Sequence, residues 1–243
     1  MRKPATKKQI VTSLGLLAAV AAAGWWWWPH IRFRFQLARN NVHIRSVPVS
    51  ELKAPGQFTG WYDCRLGPVS LRLPPALADK AERSVDKMSI VFTAPEEQLT
   101  VVLPVRIKAE DRARNQKMAD EFKLSPTRML AESFRSGTDD FRWWMTHAEL
   151  RRHQMLLAMK ATNFPNARIM GVETRYDPRI EGVLVRGDRQ TAMFQWQSTS
   201  GVAFGTLVFT KKEGPLDFDM VRDVCQSLAC NEEQLYERQY SKK

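Results

Sequence analysis

The sequence predicts an α+β fold, in which an N-terminal transmembrane helix precedes an antiparallel sheet covered by helices, as in a sandwich. Three observations support this prediction. Residues 10–28 form an uncharged, mostly apolar run. Short stretches of alternating apolar and polar residues recur within 61–105 and 167–210, which is typical of half-buried strands. Between these stretches, residues 106–161 carry apolar positions at the helical period.

The uncharged run from Ile10 to Trp28 is the predicted transmembrane helix. At about 1.5 Å of rise per residue, it is about as long as the hydrocarbon core of a bilayer is thick. Tryptophan is enriched where hydrocarbon meets lipid head groups, and arginine can reach lipid phosphates from there. Pro29 is expected to end the helix, and the run is not expected to pack against the domain. The expected membrane-interface residues are Trp25, Trp26, Trp27, Trp28, Arg32 and Arg34.

A cleaved signal peptide is the alternative interpretation of this run, because Ala21-Ala22-Ala23 provides small residues near its end. The orientation is set by basic residues, which flank the run on both sides. The tighter basic cluster precedes it. This favours a cytoplasmic N-terminus and a globular domain outside the cytoplasm.

Composition changes divide the chain into a basic N-terminus (1–9), the transmembrane helix (10–28), a connector (29–57), a globular domain (58–230) and a polar tail (231–243). Residues 1–54 hold nine Lys/Arg and one acidic residue, Glu51, and so account for +8 of the net charge of +11. The remaining 28 Lys/Arg and 25 Asp/Glu leave only +3. The basic excess therefore suits anionic lipid head groups better than nucleic acid, which is not an expected partner.

The first part of the domain is predicted to contain two hairpins with a helix between them. WYDCRL and VSLRLP, joined at Gly67-Pro68, form the first hairpin. Pro74-Pro75 opens a short helix, expected over 76–85. MSIVFT and LTVVLPV flank the polar loop 94–98 and form the second hairpin.

Helices are predicted for the middle of the chain. Ser125-Pro126 is an N-cap and first-turn pair for a helix over 127–134, and Thr146 with Glu149 fits a capping box. One apolar stripe at the helical period is expected to lie on the sheet. It consists of Phe141, Trp144, Met145, Ala148, Met155, Leu156 and Met159. A second row points away from that stripe and consists of Trp143, Leu150 and Leu157.

The last third of the chain predicts a meander of four strands and a closing helix. The strands are ARIMGVET, EGVLVR, TAMFQWQS and GVAFGTLVFT. Asp217 is the expected N-cap of the helix. The tail after residue 230 is polar and is expected to fray. The side chains expected in the core are Phe194, Trp196, Phe204, Val224 and Leu228.

The segments LGPVSLRLP and GTLVFTKKEGPLDFDMVRDVCQSL, a hairpin early and a strand followed by a helix late, resemble the PsbP-like α/β sandwich domains. The resemblance could cover residues 58–230. It implies a non-enzymatic accessory or assembly domain of the kind found in exported and membrane-attached proteins. No functional residue carries over, because that family has no shared catalytic set.

Catalytic and metal-binding motifs do not stand out in the sequence. His147 and His153 are six residues apart on a predicted helix, and no Cys-x-x-Cys pair is present, so neither a metal nor another cofactor is expected. Cys64, Cys225 and Cys230 are an odd number of thiols; Cys225 and Cys230 are poorly placed to bridge each other, whereas Cys64 could pair with either. Cys225 lies on an apolar stripe, which favours inert packing over nucleophilic chemistry.

These observations favour a single-pass membrane-anchored accessory or interaction domain without catalytic activity. The lipid bilayer is its expected partner, with a membrane protein or a second copy as further candidates. Trp143, Leu150 and Leu157 are the candidate partner surface, unless the connector or the helix over 127–134 covers them. The alternative function is binding of a small apolar ligand or lipid in a cleft walled by Met145, Met155 and Met159. An enzyme with a dispersed site is a third hypothesis.

Overall fold

The computed structural model describes residues 7–39, 44–53, 56, 58–79, 82–85, 89–164 and 169–235, with side chains described at all of these except 7–18 and 82–84. Its body is an eight-stranded sheet with helices on both faces. The α+β class predicted from the sequence, with a sheet flanked by helices, is therefore confirmed.

The large sheet has the strand order β1-β7-β8-β9-β10-β6-β5-β4. Its strands are β1 (Val49–Glu51), β4 (Glu82–Val85), β5 (Ser89–Thr93), β6 (Glu97–Arg106), β7 (Gly171–Tyr176), β8 (Ile180–Arg186), β9 (Thr191–Ser198) and β10 (Ala203–Lys211). β1 pairs with β7 in parallel, and the other neighbours are antiparallel. The second predicted hairpin is therefore β5–β6, and the predicted meander is β7 to β10.

One face of this sheet carries the main core. A three-stranded sheet of β2 (Tyr62–Leu66), β3 (Val69–Leu73) and β11 (Ala229–Cys230) packs there, with α2 (Pro75–Ala78) and α6 (Phe218–Ser227). Phe194 and Trp196 are buried against this layer, together with Val224 and Leu228. Gly182 lies beside the Phe194 ring, and a Cβ there would come within 2.2 Å of Cζ, so only glycine fits at this position.

The opposite face is covered in part, by α4 (Pro126–Arg135) and α5 (His147–Asn163). Leu130 and Phe134 of α4 pack on Val172, Val183 and Val185 of β7 and β8. Both predicted caps are present. The Ser125 hydroxyl accepts from the Arg128 N–H, and Thr146 and Glu149 form the reciprocal capping box.

Two helices lie at the margins of this layer. α3 (Ala109–Phe122) precedes α4, and none of its side chains is buried, although all of them are described. α1 (Lys7–Arg39) is a single 33-residue helix with Pro29 inside it. The predicted end at Pro29 is wrong, and the first part of the connector 29–57 is helical. Interior proline costs a helix about 3 kcal/mol, and burial of the residues that follow it against the domain offsets that cost.

Several other expectations are corrected. Glu82–Val85, expected as the end of a helix, is the edge strand β4 paired with β5. Phe204 is 40% exposed, because Ala203, Leu207 and Phe209 take the core positions of β10. The stripe expected to lie on the sheet is wrong at several positions. Trp144 is 75% exposed, since α5 begins only at His147 and leaves Trp144 out of the helical register. Ala148 is also exposed, and Phe141 and Met145 pack with Phe33 of α1.

The tail is also partly ordered. Residues 232–235 form a helical turn, Leu235 is buried in the main core, and the Ser200 hydroxyl donates to Glu232 at 2.5 Å. Residues 236–243, the rest of the predicted polar tail, lie outside the described part of the chain, as do residues 1–6 of the basic N-terminus.

Candidate functional site

The second half of α1 is attached to the domain by contacts along α5. Phe33 packs with Phe141, Leu150 and Leu157 in one buried cluster. His30 is 0% exposed, and its Nε2 donates to the Met145 carbonyl at 2.8 Å. We call this contact, formed by His30, Phe33, Phe141, Leu150 and Leu157, the α1–α5 joint. It fixes the direction of α1 relative to the body.

A second set of contacts lies one turn before His30, next to Pro29. Proline has no N–H, so the Trp25 carbonyl, one turn earlier, has no helical partner there. The Trp26 carbonyl accepts from His147 Nε2 at 3.0 Å, and His30 Nδ1 lies 3.2 Å from the same oxygen. The Trp26 ring also stacks on His147, with the centroids 4.8 Å apart. The expectation that the apolar run makes no contact with the domain is therefore wrong at its last turn.

The expected membrane-interface residues lie just before and within this joint. All side chains from Ala19 to Trp28 are exposed, and Trp25 is 70% exposed. Arg32 and Arg34 are exposed too, and the Arg34 guanidinium lies 5.3 Å from the centre of the Phe141 ring. Across the part of the chain that the structure describes, no helix is both long and apolar enough to cross a membrane.

The candidate partner surface is divided by the joint. Leu150 is 2% exposed and Leu157 is 4% exposed, because both lie in one buried cluster with Phe33 of α1. The connector is therefore their cover, which is the first of the two alternatives that the sequence left open. Trp143 remains exposed on one side, with its ring 6.2 Å from Trp27 and 5.1 Å from Phe141.

A cavity of about 460 Å³ lies between the sheet and the helices. Its walls come from β6, β9 and β10 on one side and from the starts of α3 and α4 and the end of α5 on the other. Most of its surface is apolar, and its apolar lining includes Val105, Ile107, Leu130, Met159 and Phe204. Arg106, Lys108 and Asp111 also line it. Of the three methionines expected to form such a wall, only Met159 lines this cavity, whereas Met155 does not and Met145 packs at the joint.

A second cavity, of about 560 Å³, adjoins the first along α3. The two share the lining residues Asn115, Pro126 and Gln197 and so lie side by side along α3, one mostly apolar and the other more polar. We call the two together the α3 groove, with an apolar and a polar half. The ionisable side chains that line its polar half are Arg112, Asp120, Lys123, Arg128 and Glu181.

The charges in the polar half do not cancel. Arg128 Nε lies 3.3 Å from Glu181, which also accepts from the Ser125 hydroxyl. Asp120 accepts from the neutral Gln116 amide at 2.8 Å. Within the described residues, the buried Nε of Arg112 has no hydrogen-bond partner. Three cations therefore face two carboxylates, and a buried donor is left without an acceptor.

Two buried charged groups elsewhere are held by structural contacts, whereas His153 Nε2, Arg186 Nε and Trp196 Nε1 are, like Arg112 Nε, buried without a hydrogen-bond partner in the described part of the chain. The Lys160 ammonium donates to the Phe134 and Ser136 carbonyls at 3.2 and 3.5 Å and to the Arg45 carbonyl, and so connects the end of α4 to the connector. Burial lowers the pKa of Lys160, and the Asp140 carboxylate opposes that shift. Glu173 forms a bidentate pair with Arg222 of α6 at 2.7 and 2.8 Å.

The cysteines do not form a reactive site. All three lie within the described residues, and none is in a disulfide. Burial raises the pKa of Cys225 and raises that of Cys230 to about 11, so both are neutral thiols near pH 7 and poor nucleophiles. The described residues contain no group of three or more His, Cys, Asp or Glu side chains that could hold a metal ion.

Comparison with known proteins does not place the chain in a family. No protein-family description matches the chain, and no curated protein matches it in sequence. The sequence does not predict the joint, because Pro29 locally favours the end of the helix. The sequence predicts the groove only as a cleft beside the methionines, since neither α3 nor Phe204 carries a motif.

Proposed function

We propose that this chain is a single-pass membrane-anchored accessory domain without catalytic activity, held at a fixed angle to its anchor. The observation that carries the proposal is the contrast within α1. Its side chains from Ala19 to Trp28 are exposed, whereas His30 and Phe33, one turn further on, are buried in the domain. An apolar helix that projects from a folded body exposes a large hydrophobic surface, which lipid would cover.

Two features of the sequence support the proposal that the bilayer covers the exposed apolar surface of α1. The uncharged run extends back to Ile10, into residues whose side chains lie outside the described part of the chain. Basic residues flank it on both sides and suit anionic head groups. We propose that Trp25 to Trp28 lie at the membrane interface, and that the N-terminus is cytoplasmic with the domain on the other side.

The PsbP-like resemblance fits this proposal. The order of two hairpins with a short helix, a set of longer helices, a four-stranded meander and a closing helix supports it. The resemblance would imply an accessory or assembly role, in which a membrane protein or a second copy of the chain is the partner. The exposed side chains that such a partner would contact near the membrane interface are Trp143, Trp144 and the exposed part of Trp27.

Membrane anchoring is tested by fractionating cells that express the full chain and variants of Val20, which is exposed on α1. We expect the parent and the control Val20→Leu to remain in the membrane pellet after alkaline carbonate washing. Val20→Asp places a charge in the apolar run and should move the folded protein to the soluble fraction.

Protease protection of the same membranes distinguishes a span from surface attachment. With a span in the proposed orientation, an epitope at the C-terminus is cut from outside and one at the N-terminus is not. Release of the parent by carbonate, or equal access to both ends from one side, would contradict the proposed single-pass anchor.

A second candidate function, binding of a small apolar ligand, is favoured by the α3 groove. Ligand sites are typically concave, mostly apolar and about 300–1,000 Å³ in volume, with a few polar groups that fix orientation. The apolar half of the groove has that size and lining.

A further inference from the structure

We propose that the α3 groove binds a single-chain amphiphile with an anionic head group, the aliphatic tail in the apolar half and the head beside Arg112 and Lys123. The proposal rests on the second candidate function and adds the ligand class and the direction in which the ligand lies. It is independent of whether α1 anchors the chain.

The tail site follows from the lining of the apolar half. Leu130, Met159 and Phe204 present aliphatic, thioether and aromatic surface to a volume of about 460 Å³. Met159 can adapt its shape, because its unbranched side chain has several rotatable bonds. Phe204 is 40% exposed at the edge of this cavity, and a bound tail would cover it. A slender, flexible, apolar group fits this space better than a polar or rigid one.

The head site follows from charge. In the polar half, Arg128 is paired with Glu181, and Asp120 is hydrogen-bonded by a neutral amide, so Arg112 and Lys123 are the cations of that half that remain for a ligand. The buried Nε of Arg112 has no partner within the described residues. A carboxylate or phosphate would supply the missing acceptor and cancel the positive excess, and charge-assisted hydrogen bonds of this kind are the stronger ones.

The position of α3 accounts for access. α3 forms one side of both halves of the groove, yet none of its side chains is buried. Its ion pair to α5, Arg151 with Glu121 at 3.7 Å, is solvent-exposed, and such pairs contribute little to stability. α3 can therefore separate from the sheet at low cost, which would open the groove along its length.

The groove is also separate from the tryptophans of α1. α1 and α5 run side by side in the same direction, with Trp26 beside His147 and Phe33 beside His153. Met159 is twelve residues beyond His147 on α5, which corresponds to about 18 Å at 1.5 Å per residue. An amphiphile in the groove would therefore lie about 18 Å from the tryptophans proposed to mark the membrane interface. It would be either a soluble single-chain lipid or a lipid extracted from the bilayer.

The test is a binding titration of the full chain held in amphipol, because detergent would compete as an amphiphile. The probe is 11-(dansylamino)undecanoic acid, and its uncharged methyl ester is the matched probe for the head group. We expect saturable binding of the acid, at least tenfold tighter than that of the ester.

Variants locate the tail. Gln195→Trp, on the wall of the apolar half, should weaken binding of both probes at least tenfold. Met193→Trp is the control, since Met193 is two residues earlier on the same face of β9 and lines neither half. Thermal melting checks the folding of each variant. Gln197→Trp replaces Gln195→Trp if the latter does not fold.

Variants also locate the head. Arg112→Gln combined with Lys123→Gln should remove the difference between the acid and the ester, whereas Lys117→Gln, an exposed position on α3 outside the lining, should preserve it. Displacement by lauric acid but not by lauroyl lysophosphatidic acid would point to a soluble fatty acid. The reverse would point to a membrane lysolipid.

Three results would overturn the proposal: no saturable binding of the acid, equal affinity for acid and ester, or equal weakening by Gln195→Trp and Met193→Trp. Because amphipol replaces the bilayer, these failures leave membrane anchoring untouched. Conversely, loss of anchoring in the Val20 experiment would leave the groove proposal intact.

Discussion

α1 and α3 are attached to the same side of the molecule in opposite ways. α1 begins outside the body, yet its second half buries His30 and Phe33 against α5. α3 lies between two elements of the domain, yet buries no side chain. Position in the chain therefore does not decide how firmly a helix is held. The apolar surface that it shares with its neighbours does, because burial of that surface is the main source of packing stability.

Replacement of Phe33 is expected to weaken the attachment of α1 more than any other substitution considered. Phe33→Ala removes a buried ring from the joint and should lower the free energy of joint opening by about 3–5 kcal/mol through lost burial and an added cavity. Hydrogen exchange in residues 30–37 and 147–157 measures this opening. Phe35→Ala is the matched control, because Phe35 is exposed on the same helix and should change the value by less than about 0.5 kcal/mol. Equal effects would mean that α1 is not held by this cluster.

His30→Ala should have a smaller effect on the same exchange rates. It leaves the Met145 carbonyl without the donor at 2.8 Å and opens a small cavity, at a cost of about 1–3 kcal/mol. His30→Gln, which keeps a donor, should recover part of the loss. If His30→Ala leaves the exchange rates unchanged, the hydrogen bond from His30 does not stabilise the joint.

Acid is expected to weaken the joint through His153. Burial lowers the pKa of His153 below the ordinary value of 6.5, and the Asp140 carboxylate only partly opposes this. The folded joint thus prefers the neutral ring, so its stability is complete above about pH 6.5 and falls as the pH decreases below that value. The His153 ring contacts Phe33 edge-on at 6.0 Å, and its Nε2 has no partner in the described part of the chain.

The measurement is hydrogen exchange in α1 between pH 7.5 and 5, corrected for the intrinsic pH dependence of exchange. His153→Phe should remove the specific loss of protection at low pH. A parent joint that gains protection as the pH falls would contradict the sign of this prediction.

The smallest expected effect is that of a glycine substitution in α3, compared with the same substitution in α5. Ala113→Gly in α3 and Ala158→Gly in α5 both change exposed helix positions and each costs about 1 kcal/mol of local helix stability. In α3 we expect faster exchange confined to residues 109–122 and an unchanged melting temperature. In α5 the same substitution should lower the melting temperature and loosen the joint. Matching melting shifts would mean that α3 is as firmly held as α5.

The features that the sequence predicts correctly share a physical basis. The hairpins, the meander, the Ser125 and Thr146 caps and the burial of Phe194 and Trp196 all follow from local patterns. Alternation in a strand or a capping box is set by residues close together in the chain, so a single sequence contains the necessary information.

The failures involve competition between local preference and distant contacts. Pro29 disfavours helix continuation locally, but Phe33 and His30 find partners more than 100 residues away at Phe141 to Met145. Glu82–Val85 follows a short helix and could extend it, but β5 offers a free edge. Phe204 alternates correctly with its neighbours, yet only the pairing of β10 between β6 and β9 decides which face is the core.

The sequence by itself thus determined the α+β class, most of the strands, two helix caps and the apolar run from Ile10 to Trp28. The tertiary structure alone decided that α1 is docked through its second half, that Leu150 and Leu157 lie beneath it, and that α3, α4 and the sheet enclose a groove with Arg112 beside it. Backbone patterns encode which residues form an element, whereas docking depends on apolar surfaces that meet only after the chain has folded.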